Sequence, residues 1–130
     1  MKNNLSGLRH LALRVSDITR SKNFYRDILG MEVVWEPDPN NVYLSSGLDN
    51  LALHQAESKI DSSGISPLDH FGFMAESESG VDAFYQALQG TSTPIIKQPK
   101  KHRDGSYSFY FSDPDGNAIQ IIYESRLCPG

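Results

Sequence analysis

Leu8-Arg9-His10-Leu11-Ala12-Leu13 and Leu68-Asp69-His70-Phe71-Gly72-Phe73 align without a gap at a shift of sixty residues. The same shift lays Phe24-Tyr25 over Phe84-Tyr85 and Gly30 over Gly90. A long period in a chain of 130 residues means one structural unit written twice, and missing it misassigns the fold. The quoted stretches alternate, and in an extended chain alternation sends successive side chains to opposite faces. Leu11, Leu13 and Val15 therefore share one face, with His10, Ala12 and Arg14 on the other. In the second copy Phe71, Phe73 and Ala75 oppose His70, Gly72 and Met74. Each histidine stands opposite the large apolar side chains and beside a small residue.

A helix follows each of these strands. In the first copy Ser16 or Asp17 can cap it; Ile18, Ser21, Phe24, Tyr25, Ile28 and Leu29 form an apolar stripe at helical spacing, and Gly30 ends it in the left-handed conformation. In the second copy Ser79 is the expected cap, Val81, Phe84, Tyr85 and Leu88 the stripe, and Gly90 the stop. Both stripes read as core. Three extended stretches then follow each helix, about 31–37, 41–46 and 50–57, then 94–99, 106–112 and 117–124. Asp113-Pro114-Asp115-Gly116-Asn117 reads as a tight hairpin, proline presetting φ and glycine accepting a positive one. The polar run 58–67 reads as a linker, so one domain over 1–130 is expected, with module one at 5–57 and module two at 68–125.

Bulk properties narrow the function. A formal charge of −4 repels nucleic-acid phosphates, and the basic run from Lys97 to Arg103 is interrupted by Gln98 and Pro99, so no nucleic-acid partner is expected. No apolar run approaches the roughly 18 residues that span a bilayer, and Met1 to Ser6 lacks a signal-peptide core; no membrane association and a cytoplasmic location are expected. The single cysteine, Cys128, has no partner in the chain and reads as a frayed terminal residue.

The order strand, helix, three strands, repeated once, resembles the vicinal-oxygen-chelate superfamily of glyoxalases, bleomycin-resistance proteins and extradiol dioxygenases. The most specific stretch is His102 to Gln120, whose Asp113-Pro114-Asp115-Gly116-Asn117 turn and following Ala118-Ile119-Gln120 look like that family's last hairpin. The resemblance implies an α+β fold of two βαβββ modules forming a curved mixed sheet around a cavity, helices outside. It also implies a homodimer and a divalent-metal site fed by the first and last strand of each module. Matched residue by residue, His10 and His70 take the first-strand positions and Gln120 the last-strand position where the family most often carries glutamate. In module one Leu51-Ala52-Leu53 matches that stretch, so Ala52 leaves the fourth position empty.

Two imidazoles and one oxygen donor with open positions suit Zn, Ni, Mn or non-haem Fe, and the open positions are where substrate oxygens are polarised. A glutamine oxygen donates less charge than a carboxylate, which lowers metal affinity and raises electrophilicity. His54 shares a face with Ala52 and is a candidate proton carrier, as is Glu124, which reads equally as a solvated strand end. Arg103 is the loop residue suited to an anionic substrate group, because its planar fork matches carboxylate or phosphate. Tyr110 can offer its hydroxyl to a substrate or cap the barrel mouth; His102 reads as a solvated loop residue, and Trp35 takes no place in the pattern. The expectation is a glyoxalase-like, metal-dependent enzyme acting on a small oxygenated molecule. The alternatives are a non-catalytic protein sequestering a drug-like molecule in the same cavity and an extradiol-type dioxygenase.

Overall fold

Strand periodicity places the apolar residues of each module on one sheet face, and one amphipathic helix per module covers that face. The structure, a computed structural model, describes residues 4–61 and 63–126. The chain divides into two compact units, Met1–Asp61 and Ser62–Gly130. The first unit holds β1 (His10–Val15), α1 (Ile18–Asp27), β2 (Glu32–Asp38), β3 (Asn41–Ser45) and β4 (Asn50–Gln55). The second holds β5 (Phe71–Met74), α2 (Glu78–Leu88), β6 (Ile95–Lys101), β7 (Tyr107–Ser112) and β8 (Ala118–Tyr123). Both are βαβββ modules, and the two four-stranded sheets have the same strand order, β1-β4-β3-β2 and β5-β8-β7-β6. In each, the first strand runs parallel to the last and the remaining pairs are antiparallel, so both sheets are mixed.

Helix α1 packs on β3 and β4, burying Tyr25 with Val15, Val42, Leu44 and Leu53. Helix α2 packs on β6, β7 and β8, where Val81 and Leu88 are buried with Phe109, Phe111, Ile119 and Ile121. Tyr85 meets the Phe109 ring edge-on at 5.3 Å, and Phe84 lies 6.1 Å from Phe111. Each such side chain removed from water contributes roughly 1.5–3 kcal/mol, which is what holds helix to sheet.

Helix ends follow their capping chemistry. Asp17 caps α1, its Oδ1 accepting from the Arg20 N–H at 3.2 Å, while the Ser16 hydroxyl accepts from the Ile60 N–H at 2.9 Å. Gly30, at φ 71°, closes α1 and lets the Met31 N–H reach the Tyr25 carbonyl at 3.1 Å. One expectation for α2 is corrected. Ser77, not Ser79, is its cap: the Ser77 Oγ accepts from the Gly80 N–H at 3.0 Å and engages the Ser79 hydroxyl, so the helix starts at Glu78, where a carboxylate suits the dipole. Gly90 follows the end of α2, as expected of the stop, without taking a positive φ; Gln89 is the right-handed C-cap, and Thr91 satisfies the Leu88 carbonyl through its Oγ1 at 2.8 Å.

Candidate functional site

Paired residues in a sheet share a face, so the registers define what each module presents on the side away from its helix. In the first module His10 pairs with Asn50, Ala12 with Ala52 and Arg14 with His54; His54 and Ala52 in turn pair with Asn41 and Tyr43. The His10 Nδ1 donates to Asn50 Oδ1 at 2.7 Å, and the His54 Nδ1 to Asn41 Oδ1 at 2.6 Å. An asparagine oxygen can only accept, so Nδ1 is the donor in each bond, and in the neutral ring Nε2 carries the lone pair for a further bond. Trp35, which the sequence pattern left unplaced, pairs with Tyr43 and stacks on it at 4.9 Å; Tyr43 meets His54 edge-on at 6.0 Å. The Trp35 side of this wall remains 59% exposed.

In the second module Gly72 and Tyr110 both pair with Gln120, and Lys97 pairs with Tyr110. His70 immediately precedes β5; its Nδ1 bonds Asp69 Oδ2 at 2.6 Å, and its ring meets Tyr110 edge-on at 5.1 Å. The Lys97 ammonium lies 5.5 Å from the Tyr110 ring centre. Burial, with a smaller contribution from the Asp69 charge, pushes the Tyr110 phenol above its ordinary value, so it stays a hydrogen-bond donor at neutral pH. Gln120 is 9% exposed and its Nε2 donates to Ser108 Oγ at 2.9 Å; among the described residues its Oε1 makes no hydrogen bond. Gly72 eases the close approach of β5 to β8: a Cβ there would lie 3.0 Å from the Gln120 carbonyl oxygen, and the backbone would have to give by a few tenths of an ångström.

The modules correspond by register. Ala12 pairs with Ala52 as Gly72 pairs with Gln120, so Ala52 and Gln120 hold the same place; Tyr43 and Tyr110 likewise match. The structure thus puts His10 and His54 on one face of the first sheet, and His70, Tyr110 and Gln120 beside one another in the second. Among the described residues no group of three or more His, Cys, Asp or Glu side chains forms a metal-binding cluster; two of the three expected ligands are of that kind, and the third is a glutamine.

Other expected site residues sit differently. Glu124, put forward as a proton carrier, is held by Arg126: Nε at 2.8 Å, Nη2 at 2.7 Å and the backbone N–H at 3.1 Å all reach its carboxylate. These hydrogen bonds pull its pKa down to about 2, so it is an anion throughout the neutral range and a poor proton carrier there. Arg103 lies exposed on the β6–β7 turn, and among the described residues it forms no ion pair. His102 is half-buried rather than solvated, its Nε2 2.5 Å from Ser108 Oγ. Cys128 lies outside the described residues. A recess of about 470 Å³ on the first module is lined by Ile18, Thr19, Lys22, Glu36, Asp38 and Pro39; it contains none of the expected site residues, and the Lys22–Glu36 ion pair at 2.9 Å closes on itself there.

Sequence reasoning missed the residues that orient the others: Asn50, Asn41, Asp69 and Ser108. The signal for Asn50 was the parallel pairing of first and last strands, which sets it beside His10. The signal for Asp69 was adjacency to His70.

The chain is similar to metallothiol transferase FosB of Staphylococcus saprophyticus subsp. saprophyticus, 32% identical over 118 residues that cover 90% of this chain and 76% of that protein. It is 31% identical over 123 residues to glutathione transferase FosA of Serratia marcescens, covering 90% and 80%. Among solved structures, lactoylglutathione lyase from Agrobacterium tumefaciens superimposes with a TM-score of 0.79 at 25% identity, over 96% of this chain and 98% of that one. The family model of the Glyoxalase/Bleomycin resistance protein/Dioxygenase superfamily matches residues 7–121, and the chain belongs to that superfamily.

Proposed function

We propose that this chain is a glyoxalase-like, divalent-metal-dependent enzyme acting on a small oxygenated molecule, with His10, His70 and Gln120 as metal ligands. The observation that carries the site is the hydrogen-bond pattern at those residues. His10 and His70 each give their Nδ1 to an oxygen, of Asn50 and Asp69, and Gln120 gives its nitrogen to Ser108. What remains on each is one lone-pair donor, Nε2, Nε2 and Oε1. Metal-binding histidines are oriented in this way by a carboxylate or carbonyl on the far nitrogen, so each of these donors is of the kind that a cation of the Zn, Ni, Mn or Fe group takes.

When bound, such a cation supplies Lewis-acid polarisation of substrate oxygens. The chain's own residues do the rest. The Tyr110 phenol beside His70 donates a hydrogen bond to a substrate oxygen. His54, with its Nδ1 fixed on Asn41, offers Nε2 as the proton acceptor. Trp35 stacked on Tyr43 provides a flat apolar wall for the organic part of the substrate, and Arg103 an exposed cation for an anionic group. The names of the relatives support a thiol as the second reactant, since two are thiol or glutathione transferases and the third a lactoylglutathione lyase. A homodimer is part of the same proposal.

Metal analysis of untagged protein, purified from zinc-, nickel-, manganese- and iron-supplemented cultures, tests the reading. About one cation per chain is expected, lost in the His10→Ala/His70→Ala variant; a content below about 0.1 per chain, or one unchanged in that variant, overturns it. Thiol consumption against a panel of epoxides, 2-oxoaldehydes and quinones then identifies the co-substrate.

A further inference from the structure

We propose that Ser108 and His102 are positioning residues that fix which end of the Gln120 amide faces the open side of the second sheet, so that oxygen and not nitrogen is presented. The inference rests on the reading of Gln120 as an oxygen ligand. The two ends of a carboxamide are nearly equal in shape, and only hydrogen bonds tell them apart. A glutamine standing where a carboxylate is usual therefore carries a problem the carboxylate does not have: half of its orientations offer a cation two N–H protons. Among the described residues, the hydrogen bond that distinguishes the ends of Gln120 is the one to Ser108.

That contact is directional. Ser108 is 1% exposed on β7, and its Oγ takes the Gln120 N–H at 2.9 Å. The hydroxyl has one proton of its own and two lone pairs, and His102 Nε2 stands 2.5 Å away. With the Gln120 nitrogen donating to Ser108, the Ser108–His102 bond can be made with His102 Nε2 either bare, taking the hydroxyl proton, or protonated. Reversing the amide spends the Ser108 proton on Gln120 Oε1 and then requires His102 to place its proton on Nε2. His102 is itself held at the start of the β6–β7 turn: its N–H donates to the Ser106 carbonyl at 2.8 Å, and its carbonyl accepts from Gly105 at 2.9 Å. Gly105 reaches φ 92° there, and Asp104 Oδ1 takes the Ser106 N–H at 2.9 Å and its hydroxyl at 2.7 Å. The turn that reads in sequence as a solvated loop is what anchors the far end of the relay.

Two measurements on the full-length chain test this. In metal-free protein, the ¹⁵N-resolved side-chain amide signals of Gln120 are expected to be shifted and widely split, and to collapse to ordinary glutamine values in Ser108→Ala and in His102→Ala. In zinc titrations, Ser108→Ala is expected to weaken binding by about 10-fold or more against the native glutamine, and by less than about 3-fold in the Gln120→Glu background, where both ends of the group are oxygen. His102→Ala, on the half-exposed turn, serves where Ser108→Ala fails to fold, and moves both readouts in the same direction. Equal weakening in both backgrounds, or amide signals that ignore both substitutions, overturns the relay while leaving the metal reading intact. Amide signals that respond in a protein that binds no zinc overturn Gln120 as a ligand while the orienting bonds stand.

Discussion

Asp113 is the residue whose removal should loosen the second module most selectively. It is buried at the β7–β8 turn; its Oδ1 accepts from the backbone N–H of Asp115 at 3.0 Å and of Asn117 at 2.8 Å, and its Oδ2 from the Asn117 side-chain amide at 2.8 Å. Asp113→Ala orphans two backbone donors and one side-chain donor. Hydrogen bonds to a charged group contribute about 1.5–3 kcal/mol each, and because these share one carboxylate in a turn that water can partly reach, they do not add; a loss of about 3 kcal/mol is expected. At 1.4 kcal/mol per factor of ten this is about a 100-fold faster opening, read by native-state hydrogen exchange at Ile119 and Ile121. The amides of Val42 and Leu44, in the other module, should change by less than about 3-fold. Asp113→Asn keeps one acceptor but points an N–H₂ at the Asn117 amide, so its effect should be intermediate. Less than about 5-fold acceleration at β8, or equal acceleration in both modules, would refute the idea that this carboxylate holds the hairpin locally. The hairpin matters to the site because it sets Tyr110 opposite Gln120, and a one-residue slip would turn both to the helix side.

Three further outcomes follow from single side chains. Ser21 is buried in α1 with its hydroxyl lacking a hydrogen-bond partner among the described residues; Ser21→Ala should raise stability in urea titrations by about 1 kcal/mol, and a loss would mean the hydroxyl has a partner. The Glu124 carboxyl is depressed from 4.5 to about 2 by Arg126, so its contribution to stability is complete above about pH 4.5 and drains away as the pH falls towards 2. Arg126→Ala should return the Glu124 carboxyl towards ordinary acidity in a ¹³C-detected titration; an unshifted midpoint would show that the pairing is not its cause.

The sequence carried the fold well because its strongest signals were periodic and written twice. The alternation around His10 and His70 fixed which face each histidine occupies, and the Asp-Pro-Asp-Gly-Asn run fixed the last hairpin, with Gly116 at φ 91°. The strands fall within two residues of the expected stretches. Local competition was harder to read. Ser77 and Ser79 are chemically equal as caps, and the choice between them lies in which hydroxyl meets the Gly80 N–H. His102 looked solvated because its neighbours are Lys100, Lys101, Arg103 and Asp104, yet its partner Ser108 arrives from across the turn. Glu124 looked available because Arg126, two residues on, gives no periodic signal of folding back upon it. Trp35 could not be placed because its partner Tyr43 is fixed by an irregular register between β2 and β3.

His10 and His70 match in position but are steadied by different means. The support for His70 is its own chain neighbour, Asp69, which stays at hand however the sheet is disturbed. The support for His10 is Asn50, forty residues away, present only while β1 lies against β4. The first imidazole is therefore a reporter of an intact sheet, and any strain that unzips that edge would disarm it while the second keeps its aim.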